Sequence, residues 1–265
     1  ISKYRQNSRR FDMDIYLSSS LKDDIADSAK FAVNNGLNLE ISRFGKIALM
    51  DEKYDEYLEY YSAVLKHFPN KISLHGFFSG LSVICKDMAI VEISKKRFLQ
   101  SLRIAETLGA HTVVFHSGYD LTNKMEDYKK RFVSSQICFW SEFVSNFEQA
   151  GITAVIENTS EPEPELLLKV VENVGSPNLK LCLDCGHANV ASKEPLEKWI
   201  KVFGKYLHHT HMHNNNGIFD LHQGLSEGTL DFVSIIKQLK ASPVKDYVLE
   251  MFTEKRVIDS LAFFE

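Results

Sequence analysis

The sequence predicts an α/β protein built as a single (β/α)8 TIM barrel. Three observations point there. Short β-branched and apolar runs alternate strictly with longer amphipathic stretches, there are eight such pairs, and six of the eight apolar runs end on a side chain able to bind a metal. Strict alternation implies a parallel sheet with helical crossovers. Eight units let that sheet close into a barrel with right-handed crossovers. The 265 residues suit one such barrel.

Strands are expected at 14–19 (DIYLSS), 37–42 (LNLEIS), 71–76 (KISLHG) and 111–117 (HTVVFHS), then at 152–158 (ITAVIEN), 179–184 (LKLCLD), 206–213 (YLHHTHMH) and 247–252 (YVLEMF). Helical spacing of apolar residues runs through 22–35, 53–67, 88–108, 125–150, 163–174, 193–204, 229–240 and 254–263. Turn residues mark the joins: Asn35-Gly36, Pro69-Asn70, Gly109, Gly151, Pro177-Asn178 and Pro243. An open doubly wound sheet would need a glycine fingerprint after its first strand, and LSSSLKDD has none. No Pro-, Gly- or Ser-rich linker divides the chain, so residues 13–265 are read as one barrel domain. Residues 1–12 (ISKYRQNSRRFD) are basic and polar, without the apolar stretch of a secretory signal, and are expected to be a disordered leader.

Composition is that of an ordinary globular chain, 44% hydrophobic and 25% charged, with a net charge of -4. An overall basic field for nucleic acid is absent. No apolar run is long enough to span a bilayer, so no membrane partner is expected. Cys85, Cys138, Cys182 and Cys185 are too few and too irregular for a secreted disulfide framework, which favours a reducing, cytoplasmic location. Cys182 and Cys185 make a C-x-x-C, but a zinc ribbon needs a second pair and a redox pair should open a helix. Nothing in the sequence specifies an oligomeric state.

The chemistry gathers at strand ends. His75, His116, Glu157, Asp184, His211 and Glu250 close the third to eighth strands, at the barrel end where active sites form. Taken singly, each strand-end histidine has a plainer reading as a hydrogen-bonded core or rim residue. Glu157 and Glu250 follow the apolar runs TAVIE and YVLE, and a half-buried carboxylate needs a cation, a metal or a proton. Two further motifs add candidates. In Asp184-Cys-Gly-His187, read as a loop, Gly186 allows a tight turn that faces Asp184 and His187 to one site. In Asp220-Leu-His222, an extended segment sets both side chains on one side. Asp and His together suit zinc, manganese or iron. His209, His211 and His213 share a face at period two; His209 should lie a layer deeper and His213 at the loop rim. His67, His111 and His208 are read as structural, and Lys180 lies toward its strand's start, which argues against a Schiff base.

The motifs SLHG, VVFHSG, VIENT, LCLDCGH, HTHMHN, DLHQGLSEG and VLEM resemble the xylose isomerase-like barrel superfamily, which includes endonuclease IV and sugar isomerases and epimerases. The likeness runs from about the first strand to the last. Resemblance to endonuclease IV implies a trinuclear zinc cluster: His75, His116 and Glu157 on the first metal; Glu157 bridging to a second with Asp184, His211 and Glu250; and His187, Asp220 and His222 on the third. Resemblance to the epimerases implies the smaller set Glu157, Asp184, His211 and Glu250, with both glutamates moving protons. The cofactor expected is therefore zinc or manganese, one to three ions per chain, and the candidate catalytic side chains are Glu157, Glu250 and His187. The chain departs from endonuclease IV in the SEPEPE that follows VIENT, in Asn214-Asn215-Asn216, and in a short loop from His213 to Asp220.

Three functions compete. The first is a sugar or sugar-phosphate isomerase or epimerase working through an enediolate. The second is an endonuclease IV-like phosphodiesterase acting on nucleic acid or a smaller ester, which would want phosphate-gripping cations where only Arg43, Lys46 and Lys124 stand. The third is a barrel that binds a metal or ligand without turnover, which the acid–base pair argues against. Acidic net charge favours the first, with a small sugar as partner.

Overall fold

Each apolar run forms a strand and each amphipathic stretch a helix, because a strand buried on both faces must be covered by helices whose apolar stripes face it. The computed structural model describes residues 11–45 and 47–265. Its strands are β1 (Asp14–Ser18), β2 (Asn38–Ile41), β3 (Ile72–His75), β4 (Thr112–His116), β5 (Thr153–Glu157), β6 (Leu179–Asp184), β7 (Leu207–Met212) and β8 (Asp246–Leu249). They pair in parallel in sequence order, and β8 returns to β1 to close the barrel. The helices are α1 (Ile25–Asn34), α2 (Ile47–Met50), α3 (Tyr54–Leu65), α4 (Met88–Leu108), α5 (Tyr128–Phe143), α6 (Ser145–Ala150), α7 (Glu165–Val174), α8 (Cys185–Ala191), α9 (Leu196–Phe203), α10 (Phe232–Lys240) and α11 (Glu254–Leu261).

The strand expectations match to within a residue or two at most ends. The helix expected over 125–150 divides into α5 and α6 at Val144, whose φ of -61° and ψ of -26° stay helical. The expected leader falls largely outside the described residues, but Phe11 and Met13 pack against the core. Gly109 and Gly151 end α4 and α6 in the left-handed region, with φ of 70° and 67°, as their turn signals imply. Among the described residues no helix is long and apolar enough to cross a membrane.

Side chains alternate between lumen and helix layer along each strand. Ser73, Val114, Val155, Cys182 and His209 stand two residues before His75, His116, Glu157, Asp184 and His211, so each strand contributes one residue to a middle layer and one to the ligand layer. Val114, Val155 and Cys182 form a small apolar cluster of their own in the middle layer. The larger core lies between strands and helices. There Phe98 stacks on Phe115 at 4.1 Å, and Trp140 donates to Gln136 Oε1 at 3.1 Å. Gln136 in turn donates to the carbonyl of Ser117, which fixes the chain just past His116.

The register of β7 matters most for the site. Leu181 pairs with Leu207, but Cys182 pairs with His209 and Asp184 with His211, a one-residue shift between Leu181 and Cys182. Without that shift Thr210 would face Asp184, and the side chains of β7 from His209 onward would change face.

The helix ends carry their own caps. Asp231 accepts from the backbone N–H of Val233 at 3.1 Å and Ser234 at 3.3 Å, opening α10. Asp231→Ala is expected to lower stability by about 1 kcal/mol, read as a shift in the urea midpoint with an unchanged slope.

Candidate metal centre

All nine sequence-predicted ligands meet at the C-terminal mouth of the barrel. Glu157 is the hub. Its Oε1 lies 3.1 Å from His211 Nδ1 and 3.3 Å from His187 Nδ1; its Oε2 lies 3.4 Å from His75 Nε2 and 3.3 Å from His116 Nε2. His211 Nδ1 also faces Glu250 Oε2 at 3.6 Å and Asp184 Oδ2 at 3.8 Å. To one side, His187 Nε2 lies 3.5 Å from Asp220 Oδ2, which lies 3.1 Å from His222 Nε2. His222 Nδ1 sits 2.8 Å from the carbonyl of Glu250, so it donates there and turns Nε2 toward Asp220.

Two local expectations need correction. Asp184-Cys-Gly-His187 is not a loop: Asp184 caps α8, accepting from His187 N–H at 2.7 Å, and the helix sets His187 over the site. Gly186 has no left-handed dihedral there; it is glycine because a Cβ would lie 1.9 Å from His213 Cε1. Asp220 and His222 do face one another, 3.1 Å apart, with His222 in the left-handed region at a φ of 45°.

Two contributors were missed. His213, expected at the rim, is fully buried: its Nε2 lies 3.1 Å from Asp184 Oδ1 and its Nδ1 3.6 Å from Asp220 Oδ1. The chain stays extended past β7, and the backbone pairing of Asn214 with Gln223 carries the inward face one residue further. Period two already marked His213. Glu40, near the end of β2, lies 3.1 Å from His211 Nε2 and 2.8 Å from His209 Nε2. A carboxylate inside LNLEIS was its signal. His209 lies in the deeper layer, between Glu40 and Asp246. At the other end, His111 Nε2 meets Asp246 at 3.1 Å, and His208 faces Thr112 at 3.4 Å.

Electrostatics favour anionic oxygen donors. Burial works to raise the Glu157 carboxyl, but the imidazoles of His211 and His116 hold it well below the usual range. Burial likewise opposes Asp184, which His187 and His213 hold low. Burial pushes the His116 imidazole down to about 3, against the pull of Glu157. Burial also pushes down on His222, but the hydrogen bond to Asp220 and the charge of Glu250 carry it up to about 9. Cys182 and Cys185 are free thiols, both buried, and burial raises both; neither has the exposed low-pKa setting of a redox thiol.

The donor set fits a divalent cation. Ligand atoms of His75, Glu157 and His211 lie within 4.8 Å of one another, as do those of Asp184, His211 and Glu250, of Asp184, His187 and His213, and of His213, His222 and Glu250. Glu157 Oε2 is buried without a hydrogen-bond partner although two imidazole nitrogens face it. Nitrogens and carboxylate oxygens aimed at common points suit zinc or manganese.

The uncharacterised protein MJ1311 of Methanocaldococcus jannaschii is 28% identical over 191 residues, 69% of this chain; the match spans 64% of that relative's length. A D-tagatose 3-epimerase-like protein superposes with a TM-score of 0.80 at 23% identity, covering 94% of this chain and 95% of its own. The TTHB071 protein of Thermus thermophilus, from a ZnCl2 soak, superposes with a TM-score of 0.77 at 25% identity, over 95% of this chain and 98% of its own. The profile of the xylose isomerase-like TIM barrel family matches residues 40–265, and the chain belongs to that family.

Proposed function

We propose that this chain is a divalent-metal-dependent isomerase or epimerase of a small sugar or sugar phosphate. One observation carries the reading: Glu157 and Glu250, from strands on different sides of β7, both reach His211 Nδ1, at 3.1 Å and 3.6 Å. A cation held by Glu157, Asp184, His211 and Glu250 would polarise a ketose carbonyl and its neighbouring hydroxyl and stabilise the enediolate. The glutamates do the rest. Glu157, at the floor and held ionised by the imidazoles around it, takes the proton from the carbon beside the carbonyl. Glu250, whose side chain is 12% exposed at the mouth and exchanges its proton with solvent, returns one from the other face, and Glu157 gives up the proton it took before the next turnover.

The rim supports a sugar over a long anionic polymer. Phe78 stacks on His116 at 4.6 Å and Phe252 lies over His222 at 4.8 Å, half-exposed aromatic walls suited to the C–H face of a sugar. Nearby cations are engaged: Arg43 with Asp23 at 3.0 Å, Lys124 with the carbonyl of Leu121 at 2.8 Å, and Arg256 with Glu227 at 2.7 Å. Lys46 lies outside the described residues. The D-tagatose 3-epimerase-like relative and the zinc-soaked TTHB071 share this barrel, which agrees with the reading.

The test is deuterium uptake from D2O at the carbon beside a ketose carbonyl, using zinc- or manganese-loaded protein. Glu250→Gln is expected to slow exchange by about 10²–10⁴-fold at zinc or manganese concentrations that saturate the variant, since Glu250 is also one of the four cation holders. Full exchange in that variant sinks the proton-transfer role.

A second reading has its own observation. His187, Asp220 and His222 converge beside His213 more closely than an epimerase needs, as a third metal position of an endonuclease IV-like phosphodiesterase would. Elemental analysis separates the two: about one ion per chain fits the epimerase, and about three, with cleavage of a phosphodiester probe, fits the hydrolase.

A further inference from the structure

Beneath the ligand layer runs a buried chain of carboxylates and imidazoles that the proton transfer does not use. Glu40 is fully buried and points across the lumen. Its Oε2 accepts from Ser73 Oγ at 2.9 Å and lies 2.8 Å from His209 Nε2. His209 Nδ1 lies 3.1 Å from Asp246 Oδ2, which ties the chain to β8. The other oxygen of Glu40, Oε1, lies 3.1 Å from His211 Nε2, and both of these buried atoms stand without a hydrogen bond to any described group, each other included, whereas His211 Nδ1 meets Glu157 Oε1 at 3.1 Å.

The two nitrogens of His211 therefore look in opposite directions. Nδ1 faces the oxygens of Glu157, Glu250 and Asp184; among the described carboxylates, Nε2 faces only Glu40. An imidazole binds a metal through the lone pair of one nitrogen while the other keeps its hydrogen, and the partner of that hydrogen decides which is which. An ionised carboxylate can only accept. Set against Nε2, it selects the tautomer with the hydrogen on Nε2 and the lone pair on Nδ1.

We propose that Glu40 is a positioning residue of the metal centre: with a cation in place of the Glu157 contact at Nδ1, the hydrogen of His211 stands on Nε2, and Glu40 Oε1, 3.1 Å away and otherwise unpartnered, turns to accept it. Ser73 and the His209–Asp246 pair keep the carboxylate from swinging away, because its second oxygen is held while the first meets His211. In this assignment Glu40 acts on the cation only through His211. This assignment rests on the reading that Glu157, Asp184, His211 and Glu250 hold a cation. A merely structural role is the competing account, in which Glu40 and His209 are a buried pair that stabilises the lumen and the tautomer of His211 is indifferent to them.

The test uses zinc, which is diamagnetic, and the whole chain labelled with 15N at histidine. Long-range proton–nitrogen spectra of the zinc-loaded protein, with His211→Asn to assign the signals, are expected to show His211 protonated at Nε2 and metal-bound at Nδ1. Metal binding through Nε2 overturns the proposal, and this readout needs no Glu40 variant to fold. In competition with a chromogenic chelator, Glu40→Gln is expected to bind zinc about 10- to 100-fold more weakly, with the circular dichroism of the metal-free protein unchanged. Unaltered zinc affinity in Glu40→Gln, while the parent chain binds zinc, overturns the role of Glu40 alone. A parent chain that takes up no zinc overturns the metal centre and this assignment with it.

Discussion

Glu157→Gln is expected to reduce turnover by about 10²–10⁴-fold and to weaken metal binding at the same time, by more than Glu250→Gln does. The reason lies in how many groups converge on this one carboxylate. Its Oε1 meets His187 and His211, and its Oε2 meets His75 and His116, all within 3.1 to 3.4 Å. Glutamine has the same shape but turns one acceptor into an N–H donor. Whichever way the amide is placed, two imidazoles face a donor where an anion stood, and a cation loses its central ligand. The variant also removes the negative member of a buried charged network, which costs about 3–5 kcal/mol when one partner is left behind. Zinc titration followed by chelator competition, urea unfolding of the metal-free protein and ketose deuteration measure the three effects. Turnover and zinc affinity both within a few-fold of the parent would remove Glu157 from the centre of the site.

The fold and most of the candidate site were legible because both follow periodicity. Strands buried on both faces read as short apolar runs, and the residue that ends such a run sits at the mouth of a closed barrel, so His75, His116, Glu157 and Asp184 needed only their positions. His213 obeyed the same period, but its burial depends on the Asn214–Gln223 pairing across a loop, a contact between residues that no local pattern announces. Glu40 was obscured because its partners, His209 and His211, lie five strands away in sequence and become neighbours only across the lumen. The shift between Leu181 and Cys182, which sets His211 rather than Thr210 beside Asp184, is a property of pairing and not of either strand alone. The DCGH segment reads as a loop because a seven-residue helix is too short to show a periodic face; its clue was the capping aspartate.

Gly186 gives the sharpest separation between site and scaffold. In an ordinary helix, Gly→Ala stabilises by about 0.5–1 kcal/mol. At Gly186 the sign should reverse. A Cβ there would fall 1.9 Å from His213 Cε1, 2.4 Å from Nδ1 and 2.6 Å from Nε2. The ring has nowhere to go: His222 stacks on it at 3.8 Å with planes 10° apart, and Asp184 holds its Nε2 at 3.1 Å. Either the first turn of α8 lifts, carrying His187 away from Glu157 and Asp220, or His213 is driven from Asp184 and pushes on His222. Overpacking of this kind costs about 1–3 kcal/mol, and both routes disturb candidate metal ligands. Gly186→Ala is therefore expected to lower stability and to weaken zinc binding through Asp184, the proposed cation holder that His213 and the first turn of α8 keep in place. Gly109 supplies the contrast. It sits at φ of 70° with no atom within 4 Å of a built Cβ, so Gly109→Ala should cost only the left-handed strain, about 1–2 kcal/mol, and leave zinc content untouched. Two glycine variants with similar losses in urea would then differ in zinc binding. If Gly186→Ala instead kept every zinc ion and gained stability, the packing of His213 against α8 would not be what holds this side of the site together.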